Sequence, residues 1–182
     1  MVKENILAKY RDIVTKDSLK ARNLIKKLDY KEDYYLLKCI AQTYLDESRF
    51  EDGDGSNLRA RWDRRKWRMA ERYIIKAFAI NSDSAEVLYT MGEIRHLSGL
   101  NDIAIYCFES IIKMKIKDIA FGEYGRGAAF ARELINDAKF ELYRLYYYEN
   151  ATLSKRYLSM YKTGLKKGIP TIFKPLKRFL LD

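Results

Sequence analysis

Proline is nearly missing from this sequence: 182 residues hold two, both beyond position 169, so nothing upstream interrupts a run of helices. Histidine occurs once, as His96, which excludes a histidine-based catalytic triad and a multi-histidine metal site. Cysteine occurs twice. Cys39 and Cys107 lie far apart within apolar helical patterns and lack metal-ligand spacing. They read as small buried hydrophobes in a reducing compartment rather than as a disulfide. No apolar run reaches the roughly 18 residues that would suggest a membrane span. Lys3, Glu4, Lys9, Arg11 and Asp12 break up any leader-like stretch at the start, so the location expected is the cytoplasm. Paired carboxylates such as Asp52 and Asp54 fall in the polar loop EDGDGSN (51–57), without the rigid cleft that acid–base chemistry needs. No catalysis, metal or cofactor is expected.

What is present suits one compact helical domain. Hydrophobic residues make up 48% of the chain, and 15 tyrosines serve either a helix core with a wet edge or a contact surface. The net charge of +10 is uneven: residues 49–80 carry +4 and 151–182 carry +7, while 81–118 carry −2. A neutral-to-acidic middle beside a basic insert and tail favours an acidic partner, either a protein face or a phosphate backbone.

The apolar spacing predicts a series of helices. Ile6, Leu7, Tyr10 and Val14 mark the first over 3–15; Asp17 and Ser18 cap a second carrying Leu19, Ala21, Leu24, Ile25 and Leu28. A third runs from Tyr34 to about Glu47, and a long one from about Leu58 to Ile80 with Trp67, Ala70, Ile74 and Ala77 on its apolar face. Two more, 85–97 and 101–116, form a hairpin around Gly99. Another follows the glycine-rich FGEYGRG (121–127), from about Ala128 to Tyr148. Thr152 or Ser154 starts the next, which Gly164 and Gly168 weaken, and a short turn is expected over Leu176–Leu181.

Within 85–118, Leu88, the Met91–Gly92 pair, Gly99, Ala104, Phe108 and Ile111 fall at the spacing of a 34-residue helix–turn–helix unit. This segment resembles a tetratricopeptide repeat, with Arg95 and Ile116 departing from the family's usual tyrosine and proline. Leu37, Ile40, Ala41 and Tyr44, with Ala70, Ile74 and Ala77, resemble a second unit whose turn is swollen into an insert over 49–65. The resemblance implies an all-α fold: a right-handed superhelical stack of antiparallel helix pairs in one domain spanning 1–182. Its units fall at about 2–33, 34–84, 85–118 and 137–168, with Arg144 at a small-residue position of the last. The tail, 169–182, with Ile169, Ile172, Phe173, Leu176, Phe179 and Leu180, is expected to fold back as a cap over the last hairpin.

Family members line a concave groove with outward positions of each first helix. Carried over, these are Tyr35, Lys38, Gln42 and Leu45; Glu86, Tyr89, Glu93, His96 and Leu97; and Glu141, Leu145 and Tyr148. Grooves that clamp a peptide's terminal carboxylate use lysine and asparagine at paired positions. Of Lys38/Gln42, Tyr89/Glu93 and Glu141/Leu145 only the first is compatible, so that ligand is rejected. Several of these tyrosines serve equally well as cover for neighbouring helices.

Arg61, Arg64 or Arg65, Arg68 and Arg72 form a basic stripe opposite Trp67 and Ala70. It reads as a solvated helix face, as a contact for an acidic protein, or, with two tryptophans interleaved, as a nucleic-acid contact. GEYGRG (122–127) has the wrong glycine order for a dinucleotide loop and no Lys-Ser/Thr after it, so it is a connector from which Arg126 and Arg132 present charge. The function expected is that of a non-catalytic module binding a protein partner of acidic or mixed surface through groove and insert. Small stand-alone proteins of this type serve as immunity or antitoxin proteins, adaptors or chaperones. The alternative is RNA or DNA binding through Arg61–Arg72 and the basic tail.

Overall fold

A computed structural model describes residues 2–48 and 63–173. Arg61, most of the 49–65 insert and the cap residues Leu176, Phe179 and Leu180 lie outside them, as does the turn expected over Leu176–Leu181. Among the described residues the chain is all-helical, with nine helices and no strand. Contacts divide it into two compact units, Met1–Asp83 and Ser84–Asp182.

The first unit holds α1 (Val2–Ile13), α2 (Ser18–Ile25), α3 (Tyr34–Ser48) and α4 (Arg64–Ile80). Aspartates set the starts. Asp17 accepts the Lys20 amide, Asp33 accepts those of Tyr35 and Leu36, and Asp63 accepts those of Arg65 and Lys66. The cap at Asp63, in extended backbone, makes α4 begin at Arg64 rather than at Leu58. Helices α3 and α4 pack as a hairpin over Leu37, Ile40, Ala41, Ala70, Ile74 and Ala77, all buried as the apolar stripe requires. Beside them Arg22 of α2 pairs with Glu47 of α3 at 2.9 Å and lies 4.0 Å over the Tyr44 ring, which stacks on Tyr73 of α4.

The second unit holds α5 (Ala85–Leu97), α6 (Asn101–Lys113), α7 (Ile116–Ala120), α8 (Gly127–Tyr146) and α9 (Ala151–Lys166). Gly99, at φ +74°, turns α5 into α6 while the Leu100 amide closes on Arg95 O at 2.9 Å. Gly92 lies directly under Phe108, so close that a Cβ would sit 2.7 Å from the ring. Ala104 is fully buried beside it. Helix α6 ends at Lys113, short of the expected 116, because Met114 turns extended and sends the chain into α7 against α8. Helix α8 packs on α5, α6, α7 and α9. Its small buried residues are Ala131 and Ala138, both fully enclosed, whereas Arg144 is exposed, so the apolar stripe of α8 runs through Ala131, Leu134, Ala138, Leu142 and Leu145 instead. Tyr161 of α9 is fully buried, and Phe173 comes back to within 4.6 Å of the Phe140 ring.

Candidate binding surfaces

Two kinds of surface emerge. One is the basic outer side of α4, where Arg64, Arg65, Arg68, Arg72 and Lys76 are exposed opposite buried Ala70, Ile74 and Ala77. A shallow groove runs there between Met69, Arg72, Tyr73 and Lys76. Lys66, by contrast, turns toward Glu47 at 3.3 Å and takes no part in the open face. In the second unit α9 presents a similar face: Lys155, Ser159, Lys162, Thr163 and Lys166 line a groove on a helix with no acidic residue. Cations spaced along one helix side suit an anionic partner by charge, with no fixed geometry demanded.

The first-helix positions are far less open than expected. Tyr35, Leu45, Glu86, Tyr89, Glu141 and Leu145 are buried, while Lys38, Gln42, Glu93 and His96 are half-buried. The cause is packing: α3 is flanked by α2 and α4, and α5 by α6 and α8, so each keeps only a narrow open strip. The Tyr35 hydroxyl lies 3.4 Å from Arg11 Nη2, with Lys38 Nζ 5.4 Å from its ring centre. Gln42 donates to Asp46 at 3.0 Å. His96 Nδ1 lies 3.4 Å from Asn101 Oδ1, whose amide reaches Glu149 at 3.4 Å. Leu97 and Tyr148 are exposed, Tyr148 almost wholly at 94%. Arg126 is exposed and folds its guanidinium 3.9 Å over the Phe130 ring of its own helix end.

Several charged groups of the second unit act on Tyr89. Its ring meets Phe108 edge-on at 5.4 Å. Its hydroxyl is buried without a hydrogen-bond partner. Burial above all, then the negative charge of Glu93, Glu141 and Asp137, drives the phenol well above its ordinary range. Arg144 is the cation near it, and binds both oxygens of Glu141 at 3.0 and 3.1 Å. Asp137 and Arg144 escape a reading of spacing alone. The available signal was a carboxylate, Asp137, set between Leu134 and Ala138 in an apolar stripe.

Other groups are structural. Burial lifts the Cys107 thiol to about 11, which keeps it protonated and unreactive. Tyr157 of α9 donates to Glu109 of α6 at 3.2 Å, and burial followed by that carboxylate raises it to about 12. Among the described residues no group of three or more His, Cys, Asp or Glu is placed to hold a metal ion. No described helix is long and apolar enough to cross a membrane. No family model matches the chain, no curated protein matches it, and no solved structure matches it.

Proposed function

We propose that this chain is a non-catalytic, cytoplasmic protein-binding module of the tetratricopeptide type, its helix pairs stacked in a right-handed superhelix. It holds one protein partner of acidic or mixed surface and acts as an immunity or antitoxin protein, an adaptor or a chaperone. The observation that carries this reading is the α5/α6 hairpin: Gly92 under Phe108, Ala104 enclosed, Gly99 in the turn. Helix α8 packs on both α6 and α5, as the first helix of a following pair would. The mixture of carboxylates about Tyr89 and cations on α4 and α9 supports a partner with both signs of charge.

Affinity capture from the native cell tests the reading. Wild-type chain should retain one protein that a combined Glu93→Gln, Arg68→Gln, Arg72→Gln variant of equal thermal stability releases. Identical recoveries would remove both surfaces from the account. A second reading, nucleic-acid binding, is favoured by the open guanidinium groups of Arg65, Arg68 and Arg72. It requires affinity for generic RNA or DNA that drops with a log–log salt slope of roughly −0.7 to −0.9 per phosphate contact. Undetectable binding at low salt ends it.

A further inference from the structure

Resting on the protein-binding reading above, we infer that the outer face of α9 docks an acidic amphipathic helix of the partner. Carboxylates of that helix lie over Lys155, Lys162 and Lys166, and an apolar side chain meets Leu158 among them.

Spacing sets the face. Lys155, Leu158, Ser159, Lys162, Thr163 and Lys166 follow at i, i+3, i+4, i+7, i+8 and i+11, which is one side of a helix over about 16 Å. Buried Ser154, Tyr157, Tyr161 and Gly164 take the opposite side, toward α8. The lysine side stays open as a groove of about 290 Å³. From Ala151 to Phe173 no acidic residue occurs to answer its charge. Among the described residues no hydrogen bond or ion pair holds the ammonium of Lys155, Lys162 or Lys166. Like charges gather at the end of the helix as well: burial first, then the charge of Lys167, holds the Lys139 ammonium of α8 below its ordinary range. Helix α4 differs, since it carries Glu71 itself and its Lys66 is taken up by Glu47.

Charge and lining decide the occupant. Residues 174–182 carry Lys174, Lys177 and Arg178 against Asp182, so the chain's own end has the wrong sign. Single-stranded nucleic acid is held by aromatic faces for its bases and guanidinium forks for its phosphates, and neither lines this groove. A bilayer is held by apolar side chains that stand out beyond the cations, whereas Leu158 is half-buried among them. A helix antiparallel to α9, with glutamates at i, i+4 and i+11 and a leucine at i+8, matches every position. It sets three carboxylates opposite the three ammonium groups and its leucine opposite Leu158. The long lysine stems close the remaining distance.

The test is an NMR titration of the full-length 15N-labelled chain with that glutamate peptide on an alanine–glutamine background. The comparison probes are a peptide of equal composition with its glutamates spread around the helix, oligouridylate, and vesicles of phosphatidylglycerol and phosphatidylcholine. The one-faced peptide should shift amides of α9 between Lys155 and Lys166. Lys162→Gln with Lys166→Gln should weaken it about tenfold, and Leu158→Ala about threefold. Arg68→Gln with Arg72→Gln removes the same charge from exposed positions of α4 and should change affinity by less than about twofold. Each variant's spectrum reports its fold, and the lysine pair decides alone if Leu158→Ala unfolds. No shifts, equal binding of the spread peptide, equal losses in the two charge variants, or tighter binding of oligouridylate or vesicles through the same lysines each overturn the inference. Shifts of the one-faced peptide confined to α4 would overturn it while the protein-binding reading stands. Oligouridylate held through both helices would remove that reading as well.

Discussion

Asp137 of α8 accepts the Thr171 hydroxyl at 2.6 Å, and its other oxygen accepts the backbone N–H of Ile172 at 3.1 Å. Tyr161 of α9 donates in turn to Thr171 Oγ1 at 2.9 Å. A buried polar chain thus pins the segment after α9 onto the α8/α9 pair, beside the Phe140–Phe173 contact. The segment through Thr171 and Phe173 thus lies against the α8/α9 pair, although Ile172 itself stays exposed at 57%.

That carboxyl should leave a mark on stability. Burial raises Asp137 to about 6 from its ordinary 3.8, outweighing the two hydrogen bonds that stabilise its anion. The folded chain then keeps a proton that the unfolded chain releases, between about pH 4 and pH 6. Asp137 therefore favours folding most below that window, and its contribution falls as pH rises through it and levels off above. The shift corresponds to about 2–3 kcal/mol. In urea melts from pH 4 to pH 7, wild type should lose that much relative to Asp137→Asn. A difference constant with pH would refute the assignment.

Gly92 and Phe108 make a sharper case. A methyl group on Gly92 would sit 2.7 Å from Phe108 Cζ, with both residues buried between α5 and α6. Gly92→Ala should destabilise the chain by about 2 kcal/mol, since the ring has to leave its rotamer or the helices have to part. Adding Phe108→Leu vacates the crowded atoms. The double variant should then be more stable than the two separate losses imply, with a coupling of about 1 kcal/mol in thermal melts.

Gly164 and Gly168 read from sequence as weak points of the last helix, and the structure gives each a positive use. At Gly164 a Cβ would collide with the side chain of Asn136, which is fully buried and donates to Tyr161 O at 3.3 Å. Gly168 ends α9 at φ +77° with open space around it. Gly164→Ala should cost about 2–3 kcal/mol through overpacking. Gly168→Ala should cost only about 1 kcal/mol, the backbone price of the left-handed conformation. Reversal of that order in denaturant melts would contradict the packing.

Legibility followed the range of the interaction. The α5/α6 hairpin was readable because Gly99 and the apolar stripe act within a turn or two of their own position. The start of α4 was misplaced because helix-forming residues continue upstream of Asp63, and only the amides it accepts reveal the cap. Helix α7 went unseen: five residues without a side-chain cap carry no periodicity to detect. The surroundings of Tyr89 were half legible. The family resemblance marked Tyr89, Glu93 and Glu141, but their burial and the roles of Asp137 and Arg144 depend on α8 packing against α5. No local pattern encodes that.

In the first unit, Arg22 offers the last test. Its guanidinium, only 7% exposed, is held by Glu47 at 2.9 Å and lies against Tyr44, while Lys66 reaches the same carboxylate from α4. Three helices therefore meet at one charge cluster. Glu47→Leu should cost about 3 kcal/mol, because it strands a buried guanidinium whose hydration has already been given up. If desolvation is the source of that cost, removing the stranded charge as well should return part of it. Arg22→Met with Glu47→Leu should therefore be more stable than Glu47→Leu alone in urea melts, despite the loss of the Tyr44 contact. A double variant weaker than the single would mean that Arg22 works mainly through Tyr44, and that the ion pair is secondary to the ring.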